Sequence, residues 1–489
     1  MTNQNKQESV SPTTLDPTDW TAFRERAHAM LDRAIDKMEQ ANEGRVWTPV
    51  PDALVKKLKA PLEPGGVGPK AADEAMAALM PYGVGNTHPR FFGWVHGSGT
   101  PSGIIADMVA AAVNANCGGR DHAAIQVERQ LVDWVRRLFG FPESASGLVV
   151  SGTSMATIIA LKTARDAALS FKSRQAGVGQ GLVAYTSEQA HACVGRAFDM
   201  LGLGTEALRK VPVDDTLRMR ADALEVAIGK DLAKGFTPFA VVATAGTVNT
   251  GAIEPLAEIH EVAQQHDLWM HVDAAFGASG ILSEHLRPRL AGLELASSIA
   301  FDFHKWMHVN YDAGFVLIRD GDLHRQAFSD RPDYLQRTER GLAAGQPWPV
   351  DYGPELSRGF RALKVWAQLL EHGPDRLGAA VTENCRHAAY LAKLVDQTEN
   401  LERLAPVETC ICCFRYRPAA DLADTDLDQL NAEIVIRLQE SGLAAPSTTR
   451  ISGHLAIRVN ITNHRTRVSD IDLLIKEISR LGEELASTG

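Results

Sequence analysis

The feature that most constrains the fold is a series of short apolar runs separated by helix-like segments. The runs cover residues 147–150, 181–185, 239–244, 268–272, 297–301 and 314–318. Most of them lack the apolar–polar alternation of a half-exposed strand, as expected when both faces of a parallel sheet are buried. The amphipathic segments between the runs have the pattern of crossover helices. The sequence therefore predicts an α/β fold built around a mainly parallel sheet.

Three parts are predicted along the chain, because 489 residues exceed the size of one ordinary core. Apolar residues recur at three- and four-residue spacing from Trp20 onward, which predicts a helical segment within residues 1–86. Residues 87–375 contain the apolar runs and form the predicted large α/β domain. Helices and two further strand-like stretches predict a small α+β domain over residues 376–489. Residues 330–355, rich in proline and glycine, are predicted to form a lid.

Composition excludes several classes of function and partner. A net charge of −10 argues against nucleic-acid binding, because no basic surface is available to cover phosphates. No apolar run approaches the roughly 20 residues needed to cross a bilayer, and the polar N-terminal stretch lacks the apolar core of a secretory signal. Six cysteines do not make a disulfide framework in a chain of this length. We expect a cytoplasmic enzyme without a nucleic-acid or membrane partner.

Two charged residues follow predicted strands at positions where charge is costly. Asp273 ends the run 268–272, at the strand edge where parallel sheets collect ligands, and a carboxylate there needs a cation or several donors. The alternative is a helix cap. Lys305 follows the run 297–301 among apolar neighbours, where burial lowers the pKa of an amine and makes it able to condense with an aldehyde. The alternative is a lysine that extends to solvent from a strand end.

Two further segments follow other strands. Thr153 and Ser154 lie at the start of a predicted helix, where free N–H groups suit a phosphate, although an ordinary N-cap uses the same residue types. His191 can stack on a flat ring or serve a structural role. The stretch from Gly152 also resembles the nucleophile motif of subtilisin-type proteases, with His96 upstream. Neither the expected Asp-Ser/Thr-Gly stretch nor the following proline is present, so a hydrolase is disfavoured.

One ligand needs all four features, and that ligand is pyridoxal phosphate. Its phosphate suits the helix start, its ring lies under His191, its protonated nitrogen pairs with Asp273, and its aldehyde condenses with Lys305. A metal site is not expected. Cys410, Cys412 and Cys413 are close in sequence, but in a strand Cys410 and Cys412 share one face and Cys413 lies on the other. One tetrahedral metal site is therefore hard to build, and buried thiols are the better interpretation.

Longer motifs carry a resemblance to a known family. They include His88-Pro89-Arg90-Phe91-Phe92, Gln189-Ala190-His191, His271-Val272-Asp273-Ala274-Ala275, His304-Lys305-Trp306 and Asn463-His464-Arg465-Thr466. From about Asp16 to Leu481 the chain resembles the pyridoxal-phosphate-dependent group II amino-acid decarboxylases, the family of aromatic-L-amino-acid decarboxylase. The resemblance implies the aspartate-aminotransferase-like fold, fold type I. It also implies a homodimer in which the N-terminal helices wrap the partner subunit.

The resemblance also implies roles for individual residues. Lys305 bonds to the coenzyme aldehyde, Asp273 pairs with the ring nitrogen and His191 stacks on the ring. Tyr334, within the predicted lid, protonates the substrate carbon. The remaining implied contacts with the coenzyme come from Thr153 and Ser154 (phosphate), Thr247 (ring hydroxyl), Ala275 (opposite ring face), Asp302 (phosphate, where aromatic members often have Asn) and His304 (beside the reacting amine).

The implied reaction converts an L-amino acid to the corresponding amine and carbon dioxide. Tyr334 and His191 favour simple decarboxylation over the reaction of the related aldehyde synthases. Transamination is a further rival reaction, and a non-enzymatic scaffold of the same fold is disfavoured because the residues of the chemistry are retained together. An aromatic substrate is expected, with Trp94, Phe92 and His96 lining its pocket. Arg120 could instead meet an acidic side chain, so a non-aromatic substrate stays open.

Overall fold

A computed structural model describes residues 14–329, 339–419 and 422–488. Within these ranges the chain divides into two compact units. One comprises residues 14–40 and 49–83, and the other comprises residues 41–48 and everything described from residue 84 onward. No helix of the described ranges is both long and apolar enough to cross a membrane.

The first unit consists of three helices, α1 (Trp20–Glu39), α2 (Asp52–Leu58) and α3 (Pro69–Ala77). The α1 helix begins where the sequence predicts, because the Asp19 carboxylate accepts the N–H groups of Thr21 and Ala22. The Arg26 Nε atom lies 2.6 Å from the Asp73 carboxylate and ties α1 to α3.

The second unit contains two sheets and the remaining helices. Its strands are β1 (Phe91–Phe92), β2 (Ser146–Val150), β3 (Leu182–Ser187), β4 (Leu208–Val211), β5 (Thr237–Thr244), β6 (Trp269–Asp273), β7 (Ser298–Asp302), β8 (Gly314–Ile318), β9 (Leu401–Arg403), β10 (Ile411–Tyr416), β11 (Ala445–Ile451) and β12 (His454–Asn460). Its helices are α4 (Ser102–Val113), α5 (Ala123–Leu138), α6 (Thr153–Ala168), α7 (Ser173–Ala176), α8 (Ala192–Met200), α9 (Ala221–Ala233), α10 (Leu256–Gln265), α11 (Gly321–Phe328), α12 (Ala362–Gln397), α13 (Asp424–Ser441) and α14 (Val468–Thr488). Gly373, with φ of 66°, and Pro374 kink α12 near its middle.

The larger sheet has seven strands in the order β2-β8-β7-β6-β5-β3-β4. All neighbouring pairs are parallel except those of β8, which runs antiparallel to β2 and β7. The predicted mainly parallel sheet is therefore confirmed, and each of the six apolar runs forms one of its strands. The strands β6, β7 and β8 are buried almost throughout, which explains why they lack alternation.

The register of this sheet brings chemically useful residues to one edge. Asp273, the last residue of β6, lies opposite Thr244, the last residue of β5. Asp302 ends the next strand, β7, on the other side of β6. Because these parallel strands end at the same edge, the residues that follow them surround a common space.

The smaller sheet has the order β1-β11-β12-β10-β9 and packs against α13 and α14. Its first strand comes from a distant part of the chain, since Phe91 and Phe92 pair in parallel with Ala445 and Pro446. The segment that follows β1 is therefore anchored at its start to the C-terminal sheet. Further along, it contacts the loop after β7, where the Thr100 N–H donates to Asn310 Oδ1 at 3.0 Å.

Part of the predicted lid is firmly packed. Trp348 is 2% exposed, and its indole N–H donates to the Ala344 carbonyl at 3.0 Å. The Asp351 carboxylate accepts the backbone N–H of Trp348 at 2.9 Å. The C-terminal part of the predicted lid is therefore held in place by a buried tryptophan, and residues 330–338 of the lid lie outside the described ranges.

One buried ion pair fastens the large sheet to its helices. The Arg358 guanidinium binds both oxygens of Glu128, at 2.6 and 2.9 Å, with both side chains almost fully buried. Glu128 also accepts the Val149 N–H, which joins α5 to β2.

Removing one member of this pair is expected to destabilise the fold strongly. Glu128→Gln leaves the Arg358 charge buried without its counter-ion, which costs about 3–5 kcal/mol of unfolding free energy. Chemical denaturation followed by circular dichroism measures this loss. The matched control is Glu477→Gln at the exposed Arg480 pair, where the unfolding midpoint is expected to stay nearly unchanged. Equal midpoints for the two variants would contradict the structural role of the buried pair.

Candidate active site

A cavity of about 320 Å³ opens at the edge where β5 and β6 end. It is large enough to be an ordinary small-molecule site. Six residues predicted from the sequence line it, namely Trp94, His96, His191, Asp273, Ala275 and Lys305. Segments that are far apart in the sequence thus meet at one place, as predicted from the strand ends.

Asp273 is a buried carboxylate at the end of β6, 2% exposed. Its Oδ1 atom accepts the Ala275 N–H at 3.1 Å, and its Oδ2 atom accepts the Cys193 thiol at 3.6 Å. Burial raises the pKa of Asp273, and the nearby Lys305 lowers it, with a net rise. Because these two donors only partly satisfy the buried carboxylate, a positively charged group of a ligand would stabilise its ionised form.

Lys305 follows β7 in a short turn, and its Nζ atom lies 2.9 Å from Asp302 Oδ2. Burial lowers the pKa of the Lys305 amine, but Asp302 raises it by more, with help from Asp273, so the pKa lies above its ordinary value. The expectation of a lowered pKa is therefore wrong for the free protein. The sequence indicated a lysine shielded from solvent, and its side chain is 22% exposed, but the sequence did not reveal the carboxylate beside it.

The start of α6 carries the predicted phosphate residues. The Thr153 N–H donates to Asp302 Oδ1 at 2.7 Å, and the buried Thr153 hydroxyl has no hydrogen-bond partner among the described residues. Ser154 is exposed in the same first turn. The remaining free N–H groups of such a turn, together with the helix dipole, favour an anion.

Two histidines flank this region. His191 is the N-cap of α8, and its Nδ1 atom accepts the Cys193 N–H at 3.2 Å, which leaves its ring along the cavity wall. His304 is 6% exposed, and its Nδ1 atom accepts the Ala313 N–H at 3.0 Å. Its Nε2 atom lies 3.7 Å from Asp302 Oδ2. Burial lowers the pKa of both imidazoles.

Two predicted site residues do not line this cavity, and a third falls on residues that the structure does not describe. Phe92 is fully buried in the core of the smaller sheet, so its place in a substrate pocket is corrected. Thr247 is also displaced, because its hydroxyl contacts Thr250 at 3.1 Å and accepts the Ala252 N–H within a turn. Tyr334 lies outside the described residues.

The sequence analysis missed several lining residues, and Arg458 is the most informative. It is 3% exposed, and its guanidinium donates to the carbonyls of Trp94, Val248 and Asn249. No carboxylate in the described part of the chain pairs with it. An arginine in the apolar stretch 455–461 was the signal that could have found it, since a buried charge requires partners. Thr244 also lines the cavity and was not predicted.

Metal-binding residues do not cluster in the ranges that the structure describes. Cys410, Cys412 and Cys413 are buried free thiols, and burial raises the pKa of all three. Thiols with raised pKa values are poor metal ligands because the thiolate is the binding form.

These residues fit pyridoxal phosphate. The Lys305 amine and the buried Asp273 carboxylate line the cavity. At the adjacent helix start, the buried Thr153 hydroxyl forms no hydrogen bond with any described residue. No single side chain here identifies the ligand. The combination of an amine, a carboxylate, an imidazole and a helix start suited to phosphate is specific for pyridoxal phosphate. The fold and the site together define a pyridoxal-phosphate-dependent enzyme of fold type I, the aspartate-aminotransferase-like architecture.

Comparison with known proteins narrows this class. The profile of the pyridoxal-dependent decarboxylase conserved domain matches residues 68–417. An aromatic-L-amino-acid decarboxylase of Bacillus atrophaeus is 32% identical, over 95% of this chain and 96% of its own length. A phenylacetaldehyde synthase of Arabidopsis thaliana is 28% identical, over 93% and 94% of the two chains. The chain belongs to the pyridoxal-dependent decarboxylase family.

A solved structure agrees with this assignment. The crystal structure of Oryza sativa TDC with PLP and tryptamine superposes with a TM-score of 0.87 at 25% identity, over 96% of this chain and all of that one. The fold expected from the sequence resemblance is thereby confirmed.

Proposed function

We propose that this protein decarboxylates an aromatic L-amino acid to the corresponding amine and carbon dioxide. The observation that carries the proposal is the meeting of Lys305, Asp273 and His191 in one cavity. An amine can bond to an aldehyde, a buried carboxylate can hold a ring nitrogen protonated, and an imidazole can stack on a flat ring.

Each residue has a distinct task in this proposal. Bound pyridoxal phosphate supplies an aldehyde for the substrate's amino group and a charged ring that withdraws electrons as the carboxylate departs. Asp273 keeps the proton on the ring nitrogen, because a buried carboxylate favours a facing cation. His191 would stack on one face of the bound ring, and the small side chain of Ala275 would leave room on the other. His304, kept neutral by burial, accepts or returns a proton near the Lys305 nitrogen.

The phosphate is assigned to the first turn of α6. The N–H groups there, with the hydroxyls of Thr153 and Ser154, hold an anion without a bulky side chain. Thr244 replaces Thr247 as the threonine next to the ring, because Thr244 lines the cavity and the hydroxyl of Thr247 is engaged elsewhere.

The cavity wall favours an aromatic substrate. The rings of Trp94 and His96 have centroids 6.0 Å apart, and Phe91 lies 5.5 Å from His96. Tilted rings of this kind pack well against another aromatic ring. Arg120, the cation expected for an acidic substrate, does not line the cavity and instead lies 4.9 Å over the Trp348 ring. Arg458 does line the cavity, but its guanidinium donates to the backbone carbonyls of Trp94, Val248 and Asn249. The name of the Bacillus atrophaeus relative supports the same substrate class.

The second candidate function is the formation of an aldehyde from the same substrates. It is favoured by the similarity to a protein named phenylacetaldehyde synthase. The sequence prediction that Tyr334 protonates the substrate carbon favours the amine instead.

A screen of amino acids tests the proposal. The purified protein loaded with coenzyme is expected to release carbon dioxide from L-phenylalanine, L-tyrosine, L-tryptophan or their ring-hydroxylated forms, with an equal amount of amine. Chromatography of the products and an electrode for carbon dioxide measure both. Aldehyde with ammonia and peroxide would establish the second candidate. Release only from aspartate or glutamate would refute an aromatic substrate.

We further propose that the protein acts as a cytoplasmic homodimer, with residues 1–86 as the helical dimerisation segment. The large domain is assigned to residues 87–375 and the small one to residues 376–489. The charge and the cysteine content support the location, and the family resemblance supports the dimer. The mass in solution, measured by light scattering, tests the assembly.

A further inference from the structure

Asp302 places a second anion where the coenzyme phosphate is assigned. Its carboxylate is 3% exposed, and its Oδ1 atom accepts the Thr153 N–H at 2.7 Å at the start of α6. Its Oδ2 atom lies 2.9 Å from Lys305 Nζ and 3.7 Å from His304 Nε2. The carboxylate thus bridges the helix start and the reactive amine.

These contacts conflict with the arrival of a phosphate. The first turn of α6 has few N–H groups, and Asp302 already accepts one of them. Two anions within a few ångströms in a buried site repel each other strongly, because the surroundings screen charge poorly. Lys305 is the cation that balances Asp302, yet the same amine must bond to the coenzyme aldehyde. Asp273 adds a further negative charge to the site.

The neighbouring hydroxyl is not used by any described protein group. Thr153 Oγ1 is buried and has no partner among the described residues. A phosphate oxygen can fill this role, whereas Asp302 accepts the backbone N–H of the same residue. The helix start is therefore partly occupied by the protein's own carboxylate and partly open to a ligand.

We propose that Asp302 is an internal competitor of the coenzyme phosphate and lowers the affinity of this chain for pyridoxal phosphate. An asparagine at this position keeps an oxygen for the Thr153 N–H, removes the negative charge and adds a donor for a phosphate oxygen. The inference concerns coenzyme affinity and holds whichever amino acid is the substrate.

Coenzyme binding to the full-length protein stripped of coenzyme tests the proposal. Equilibrium dialysis gives the Kd for pyridoxal phosphate and for pyridoxal, which has the same ring and aldehyde but no phosphate. Asp302→Asn changes the Lys305 amine for both ligands alike, and it is expected to tighten pyridoxal phosphate by at least about tenfold more than it tightens pyridoxal. The matched control is Asp320→Asn, which keeps the N-cap of α11 and is expected to change neither Kd.

Each outcome decides the matter. Unchanged or weaker binding of pyridoxal phosphate by Asp302→Asn overturns the proposal. Equal tightening of both ligands also overturns it, because the effect would then not act through the phosphate. Asp302→Ser is the second variant, in case the amide impairs folding, and circular dichroism confirms the fold of each. Tightening that is at least about tenfold larger for the phosphorylated ligand in either folded variant supports the competition.

Discussion

Lys305→Ala is expected to lower turnover by about three to four orders of magnitude and to abolish covalent attachment of the coenzyme. The reason is that Lys305 is the amine that lines the cavity, next to Asp273 and held by Asp302 at 2.9 Å. Without Lys305, the coenzyme is held only by non-covalent contacts. The amine that would bond to the coenzyme aldehyde before and after each turnover is then missing.

Two measurements check this result. Borohydride reduction followed by mass spectrometry of the intact protein is expected to show the added coenzyme in the wild type and not in Lys305→Ala. Turnover is measured on the substrate found in the screen. The control is Lys210→Ala, an exposed lysine on β4, which is expected to retain both the adduct and the activity. An adduct that persists in Lys305→Ala would assign the attachment to another lysine.

Asp273→Asn is expected to lower kcat by about 10²- to 10³-fold, the usual effect of losing one positioned electrostatic group. The amide has nearly the same shape but carries no charge, so it cannot keep a ring nitrogen protonated. The wild-type carboxylate is buried and accepts the Ala275 N–H and the Cys193 thiol, so its remaining capacity is directed at a ligand.

A matched variant tests whether the loss of kcat in Asp273→Asn comes from the site itself or from a general effect of replacing an aspartate. Asp214→Asn changes an exposed carboxylate that accepts the Thr216 and Arg218 N–H groups, and full activity is expected. The absorbance of bound coenzyme as a function of pH provides a second measurement, because loss of the carboxylate lowers the pKa of the ring nitrogen. Wild-type kcat in Asp273→Asn would reject the assigned role.

The sequence revealed the central sheet because its strands are buried on both faces and read as continuous apolar runs. It missed β4, an edge strand that carries Arg209 and Lys210, and β11, which is rich in serine and threonine. Neither strand reads as an apolar run, although β11 pairs with β12, which follows it directly in the sequence. A search for apolar runs therefore cannot identify them.

Two of the site residues that the sequence predicted are charged residues next to apolar strands, where a charge is costly without a partner. Asp273 and Lys305 are charged groups at the ends of apolar runs, and the cavity brings them together. The error at Phe92 has a different origin. Phe91 and Phe92 are adjacent in β1 and point to opposite faces, and Phe91 is the one that packs with His96. The sequence does not say which face meets the cavity.

The pairing of β1 with β11 places two groups of proposed site residues after strands of different sheets. Trp94 and His96 follow β1, which pairs with the C-terminal sheet, whereas Asp273 and Lys305 follow strands of the large sheet. In the proposed site, the residues assigned to the substrate ring and those assigned to the coenzyme therefore follow strands of different sheets. Substitutions around β1 and β11 are expected to alter the proposed substrate wall while Asp273 and Lys305 stay in place.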